Sequence, residues 1–395
     1  MKSGWKATNL GDVCQVIGGG TPSKNNEAYY SGDIPWATVR DMRSELLTET
    51  ECRITKAAVA SSATNIIPGG NVVIATRVGL GKVCLLGQDT AINQDLRGIV
   101  PIDSNVVSAR FLFWWLKSIA DLIVAEGTGA TVQGVKLPFV KALQMPLPPF
   151  TEQQRIVGIL DEAFKGIAAA KANSERNLHN ARAIFESHLE SVFGEPSAGW
   201  IQTTIGECIR FIDYRGKTPA KTERGLRLIT AKNVKMGYLQ EAPREFVAPK
   251  SYASWMTRGI PRRGDLLFTT EAPLANVAQL DTDDKVVFAQ RIIIMQPDAS
   301  VLDRPFLKYL LLSQPVQRRI HMHGTGATVT GIKASLLKKV EISFPKSLAE
   351  QEQIVVKLDS LSQETQRLAS LYKHKLEALE GLKKSLVHQV FAGRL

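Results

Sequence analysis

The sequence predicts an α+β protein: two tandem α+β domains separated by two long α-helices that pair as an antiparallel coiled coil, in a pseudo-twofold arrangement. Three observations carry this. The phrase GTGATVQGVK (127–136) returns as GTGATVTGIK (324–333), with eight of its ten residues kept. The match extends both ways at a nearly constant offset: WKATNLGDV with WIQTTIGEC, GGTPSK with GKTPAK, IPGGNVVIAT with IPRRGDLLFTT, EQQRIVGILDEAF with EQEQIVVKLDSLS. A constant offset marks a tandem duplication, and this unit is far longer than the roughly 20–50 residues of a solenoid repeat. Each copy also changes character near its end, from short β-rich runs bounded by Gly, Pro, Asn and Asp to apolar residues spaced by three and four.

The first domain occupies 1–150 and its second copy 195–346. Strands are expected at NVVIAT, KVCLL, DLLFTT and KVVFAQRIIIM. One helix is expected in each domain, over 108–124 and 303–313, capped by Ser108 and Asp303, with Pro305 in the first turn of the second. MPLPPF (145–150) ends the first domain, because proline is excluded from a helix interior. The helical segments follow at 151–194 and 347–395. Thr151 with Gln154, and Ser347 with Glu350, offer capping boxes. The first seam runs through Ile156, Leu160, Ala163, Ile167 and Ala170, then past a break near Ser174 through Leu178, Ala181, Phe185 and Val192. The second runs through Ile354, Leu358, Leu361, Leu368, Tyr372, Leu379, Leu386 and Val390. Gly194 and Gly393 sit where helix termination places them. A helix of ~42 residues is ~63 Å long, too long to bury its seam on one compact domain, so the two are expected to pair with each other.

Composition narrows the function classes. At 44% hydrophobic and 22% charged residues over 395 positions, the chain reads as folded and soluble, not disordered. Apolar runs such as FLFWWL (111–116) fall far short of the ~20 residues of a membrane span. MKSGWKATNLGDV has no apolar signal core, so a cytoplasmic location is the default. Cys14, Cys52, Cys84 and Cys208 form no Cys-x-x-Cys pair, which excludes a disulfide framework and a cysteine zinc site. His321 and His323 lack the further ligands a metal needs. The net charge of +11 points to a polyanionic partner.

Catalytic motifs are missing. At GLGKV (79–83), Thr76 and Val83 stand where a phosphate loop needs Gly and Ser or Thr. GTGATVQG lacks the G-x-G-x-x-G spacing of a dinucleotide site and precedes a proline stop instead of opening a helix. LPPF (147–150) is similar to the Asn-Pro-Pro-Tyr/Phe loop of amino-methyltransferases, but Leu147 replaces the polar residue that would hold the target amino group. Binding equipment is present instead. The candidate DNA-facing residues are Thr21, Ser23, Lys24, Arg40, Arg77, Lys82, Gln94 and Arg97 in the first domain. At or near parallel positions in the second stand Arg215, Lys217, Thr218, Lys221, Lys232, Asn233, Gln290 and Arg291. Lys and Arg neutralise phosphates, while Arg, Asn and Gln can read base edges in bidentate fashion. The competing reading of each is a solvated surface residue. Trp36, Trp114 and Trp115 read as core.

In order along the chain, GGTPS (19–23), YYSGDIPW (29–36), AINQ (91–94), the glycine-threonine phrase, LPPFTEQQRIV (147–157) and FAGRL (391–395) resemble the specificity (S) subunits of type I restriction-modification systems. The resemblance covers essentially the whole chain. It implies that each α+β domain is a target recognition domain reading one half of an asymmetric, bipartite site in double-stranded DNA. It implies too that the helices set the half-site spacing and dock two methyltransferase (modification) subunits, through which restriction (translocase and nuclease) subunits join. Gln153, Ile156, Leu160, Phe164, Gln351, Ile354, Leu358 and Leu361 are the candidate positions for this spacer and docking role. The resemblance further implies no catalysis and no cofactor in this chain, S-adenosylmethionine, ATP and Mg²⁺ belonging to the partner subunits. Two readings stay open beside it: a structural adaptor whose domains bind protein, and a DNA-modifying enzyme, against which the missing motifs count.

Overall fold

The computed structural model describes residues 4–129, 134–195, 197–214, 218–289, 291–326 and 330–394. They form two compact units: residues 1–174 with 374–395, and residues 175–373. The boundaries fall inside two helices of 44 residues each, Phe150–Phe193 and Leu348–Phe391.

The head of the first unit holds a five-stranded sheet in the order Cys14–Gly18, Leu96–Pro101, Val72–Ala75, Val83–Leu86, Leu46–Leu47, antiparallel except at the last edge. The all-apolar run Val72–Ala75 is central because both its faces are covered. Val72 and Ile74 pack under the helix Ala109–Ser118, whereas Val73 and Ala75 pack toward Ala37, Ile67 and Ile92, as the period-two alternation of strand side chains requires. A second sheet follows the order Cys52–Ile54, Ile34–Ala37, Thr90–Ile92, Asn65–Ile67, and its central pair is parallel. Lys6–Asn9 pairs with Gln144–Leu147 and closes the head.

The second unit repeats this plan. Its main sheet runs Ile209–Asp213, Ile292–Pro297, Leu266–Thr270, Leu274–Gln279. The other sheet follows the order Lys221–Thr222, Glu245–Val247, Leu226–Ile229, Val287–Phe288, and again holds one parallel pair, Leu226–Ile229 beside Val287–Phe288, here with one member at the edge. Trp200–Thr204 pairs with Glu341–Pro345 as the closing ribbon. The duplication inferred from the repeated phrases is therefore one of topology as well.

Helix details depart from expectation in three places. The helix expected over 108–124 is split into Ala109–Ser118 and Ala120–Ala125. The one expected over 303–313 is Arg304–Leu312 with a second helix, Gln314–Met322, directly after it, and shorter helices stand elsewhere in both heads. At both breaks a serine hydroxyl donates to a carbonyl three residues back, Ser118 to Trp115 and Ser313 to Leu310, both at 2.6 Å. The expected caps Ser108 and Asp303 do accept, from the amides of Phe111 and Phe306. The first long helix shows no break at Ser174, which is buried and donates to Ala170 O at 2.7 Å. A serine satisfied within its own helix does not interrupt it. That helix also starts at Phe150, which places Thr151 inside it and not at its cap, whereas Ser347 accepts from the Glu350 amide, one half of the expected box.

Both cores draw on both long helices. In the first unit Ile156, Leu160 and Phe164 join Val387 and Val390 against Phe111, Trp114 and Leu116; the Trp114 and Phe164 rings lie 4.3 Å apart. In the second, Leu189 and Phe193 join Val355 and Leu358 against Phe306 and Leu310. The helices run antiparallel within each unit. Lys383 lies over the Phe164 ring while Lys171 pairs with Glu380 at 2.8 Å, and in the second unit Asn177 donates to Tyr372. Each fully buried Leu, Ile or Phe of these seams contributes roughly 1.5–3 kcal/mol.

Candidate nucleic-acid interface

A parallel strand pair sends both of its C-terminal ends to the same edge, and this is what assembles the site. In the first head, Trp36 and Ala37 lie beside Ala91 and Ile92. The chain leaves them as Thr38-Val39-Arg40-Asp41 on one side and Asn93-Gln94-Asp95 on the other. Asp41 locks the first turn, its Oδ2 accepting from the Thr38 amide at 2.7 Å and the Thr38 hydroxyl at 2.9 Å. Arg40 is left exposed at the apex. Asn93 locks the second, accepting from the Asp95 amide and donating to the Asp95 carboxylate, both at 3.1 Å.

The GGTPS loop crosses over this edge in close contact. A Cβ on Gly19 would lie 2.2 Å from Asn93 O, so only glycine fits. Gly20 O accepts from Trp36 Nε1 and the Thr64 hydroxyl, and Pro22 O accepts from the Tyr30 hydroxyl. The crossing delivers Thr21 to Gln94, whose amide oxygen accepts its hydroxyl proton. Thr21, Lys24, Arg40 and Gln94 thereby line one depression of about 900 Å³ with Tyr30, Asp41, Cys52 and Asp95. Three further candidates are bonded to residues of its wall: Arg77 to Asp95, Lys82 to Val39 O and Arg97 to Gln94 O. Ser23 is exposed nearby in sequence.

The charge balance of the depression favours an anion. Its carboxylates are occupied, Asp41 by the Thr38 turn, Glu51 by Arg43 and Asp95 by Arg77. Among the described residues Lys24 and Arg40 have no ion-pair partner, and against the still-charged Asp41 they leave the depression one positive charge in excess. Burial, and then the neighbouring Arg77 cation, pull the Arg97 guanidinium below its usual pKa, with Asp95 opposing.

The second head builds the same edge with different residues. Thr230 donates through its amide and hydroxyl to Asn233 Oδ1, at 3.0 and 2.9 Å, so Asn233 stands where the first head has Asp41. Lys232 is exposed at the apex, as Arg40 is. Thr218 and Lys221 are exposed, the latter paired with Glu245 at 2.8 Å. Arg291 pairs with Glu271 at 2.8 Å. Arg215, Lys217 and Gln290 lie outside the described residues.

Several expected site residues face inward. Asn233 is 1% exposed and donates to Gln240 O and Pro243 O. It is a turn lock, not a base reader. Gln153 and Gln351 are fully buried staples between helix and head, not docking residues. Gln153 accepts from the Ser108 amide and donates to Val106 O and Pro148 O; Gln351 does the same with Asp303, Val301 and Pro345. Ile156, Leu160, Phe164 and Leu358 are spent in the unit cores, and Ile354 packs half-buried on the second. The four core residues therefore offer a partner no free surface. Leu361 alone of that set lines an open groove, with Ile184 and His188. Sequence reasoning missed Asp41, Asp95 and Glu271 as the groups that position the cations; the Thr-x-x-Asp and Thr-x-x-Asn spacing was the available signal for the first. Trp36, Trp114 and Trp115 are buried, as read.

The repeated phrase is a structural joint in both heads. Thr128 and Gly134 exchange backbone hydrogen bonds, as do Thr325 and Gly331. The next residue then docks on the main sheet, Val135 N–H to Thr76 O and Ile332 N–H to Thr270 O, both at 2.9 Å. Residues 130–133 and 327–329 of the phrase lie outside the described residues.

Among the described residues no group of three or more His, Cys, Asp or Glu is placed to hold a metal ion, and no helix is long and apolar enough to cross a membrane. A duplicated α+β head, each copy turning a cation-bearing strand edge to solvent, defines a binding protein with two like sites. Residues 2–176 and 257–378 match the family described as the type I restriction modification DNA specificity domain. The chain belongs to this family. It is 34% identical over 197 residues to the Escherichia coli type I restriction enzyme EcoR124I/EcoR124II specificity subunit, a match that covers 49% of this chain and spans about half (48%) of that protein. It is 21% identical over 412 residues to the MjaVIII specificity subunit of Methanocaldococcus jannaschii, covering 99% of this chain and 93% of that protein. Two solved structures share the fold over the whole chain. One comes from work on complex assembly and conformational transition of the type I R-M system, with TM-score 0.79, 20% identity and 99% of that chain covered. The other is the HsdS subunit from Thermoanaerobacter tengcongensis, with TM-score 0.65, 18% identity and 98% covered.

Proposed function

We propose that this chain is the non-catalytic DNA-sequence-reading subunit of a type I restriction-modification complex. Each head reads one half of a bipartite site in double-stranded DNA. The observation that carries the reading is the strand edge built twice, with free cations at Lys24 and Arg40 in one head and an exposed Lys232 at the matching turn of the other. Lys and Arg at such an edge hold phosphates and fix the register from which neighbouring groups reach bases. The two heads share topology but not edge residues, which suits two different half-sites and an asymmetric target. The two long helices set the half-site separation and dock two methyltransferase subunits, and restriction subunits join through these. S-adenosylmethionine, ATP and Mg²⁺ belong to those partners, and the complex works in the cytoplasm.

Genome sequencing that detects methylated bases tests the reading, in cells holding the methyltransferase partner with and without this chain. A split motif should gain modification only when both are present; if none does, the proposal fails. A chemical footprint gives an independent check. Burial pushes the Cys14 thiol up to about 12 and those of Cys84 and Cys208 up to about 11, while Cys52 is exposed on the wall of the depression. At pH 8 iodoacetamide should label Cys52 first, and saturating duplex DNA should slow that labelling severalfold. Equal labelling with and without DNA would remove the depression from the interface.

A further inference from the structure

Superposed through their sheet topology, the two heads carry the same ion pair with its charges exchanged. In the first, the Thr76 amide donates to Asp95 O at 2.9 Å, and the Arg77 guanidinium lies 3.5 Å from the Asp95 carboxylate. In the second, the Thr270 amide donates to Arg291 O at 2.9 Å, and Arg291 Nε lies 2.8 Å from the Glu271 carboxylate. Positions 77 and 271 follow the same central strand; positions 95 and 291 lead into the same neighbouring strand. The cation therefore comes from one side of the pair in one head and from the other side in the other. Both pairs sit where the glycine phrase lands. A Cβ on Gly134 would lie 3.3 Å from Arg77 Cγ, and one on Gly331 would lie 3.2 Å from Glu271 Cβ.

The chemistry of a tied pair differs from that of a free lysine. A guanidinium beside a carboxylate carries little net charge, so it gains little from neutralising a phosphate and releasing counterions. What it presents is a fork of N–H donors next to an acceptor. The major-groove edge of a G·C pair presents the complement, the O6 and N7 acceptors of guanine beside the amino donor of cytosine. Both arginines are about half exposed, at 49% and 46%, and so reach solvent while held in place. Arg291 also has φ of 78°, a region that non-glycine residues rarely occupy and that tends to be kept where a site needs it.

We propose that the Arg77–Asp95 and Arg291–Glu271 pairs are base-reading elements, one per head, each directed at a G·C pair in the major groove. The exchanged order of donor and acceptor makes the two heads read their base pair in opposite orientation, which is one source of the difference between the half-sites. This rests on the DNA-reading function proposed above.

Selection of bound duplexes from a randomised library by the full chain, followed by sequencing, separates the two ideas. A wild-type chain that enriches no split motif overturns both. With a wild-type motif in hand, Arg77→Lys keeps the charge and loses the fork. Preference at one G·C position of one half-site should then drop roughly tenfold, with other positions unchanged. Arg291→Lys should do the same in the other half-site. Asp95→Asn, which releases the guanidinium without removing it, should relax the same position as Arg77→Lys. The double exchange Arg77→Glu with Asp95→Arg should change the base preferred there. An unaltered motif in the lysine variants overturns the inference while leaving the DNA-reading function standing. So does an equal loss of affinity for every sequence, the mark of a phosphate contact.

Discussion

Replacing Gln153 with alanine should destabilise the first unit by about 3 kcal/mol, and Gln351→Ala should do the same to the second. Each glutamine is 0% exposed and spends its whole amide on three backbone groups. Truncation strands an N–H and two carbonyls in a dry site, and a buried polar group left without a partner costs roughly 1–3 kcal/mol. Loss of the side chain beyond Cβ also leaves a void at the junction of helix and head. For a unit of this size the loss corresponds to a fall in melting temperature of roughly 6–12 °C. Hydrogen exchange localises the effect: the Ser108 amide should lose protection in Gln153→Ala, and the Asp303 amide in Gln351→Ala. A loss below about 1 kcal/mol with both amides still protected would show that water replaces the staple.

Affinity for duplex DNA should collapse with added salt. With six to ten phosphates neutralised, binding weakens roughly a thousandfold or more between ~50 and ~200 mM monovalent salt. The free cations of the first depression make the expectation specific. Lys24→Ala with Arg40→Ala removes two phosphate partners, so the slope of log K against log salt should become shallower by about 2. The loss should be uniform over DNA sequences, because a phosphate contact carries no base information. A fall of less than about tenfold over that salt range would leave the +11 charge without a part in binding.

The duplication, the two heads and the two long helices were legible in the sequence because each leaves a periodic or repeated trace. The strand Val72–Ala75 declared itself by an unbroken apolar run, and the repeated phrase fixed where each head closes. What could not be read were features that depend on a partner distant along the chain. Gln153 and Gln351 were visible as a repeated EQ, yet nothing local tells a buried staple from a docking residue. Asn233 was polar, near a strand end and in a basic neighbourhood, which fits a base reader as well as a turn lock; only its three-residue spacing from Thr230 favoured the lock. The apolar seam breaks near Ser174, yet the helix runs through it, because the buried serine hydroxyl is satisfied by the carbonyl one turn back. The ion pair with exchanged charges became visible only when strand order showed which residues of the two copies correspond.

The way the long helices are shared between the cores bears on how the chain can mature. The first core is completed by Val387, Val390 and Phe391, which are translated after the whole second head. When the first head leaves the ribosome it therefore has an open apolar flank, which stays uncovered through most of synthesis, the period in which such surfaces invite aggregation. The second head meets its supports in order. Leu189 and Phe193 have already been made, and Val355 and Leu358 follow directly. Of two copies of one fold, the one made later can close first, and the one made first must wait for it.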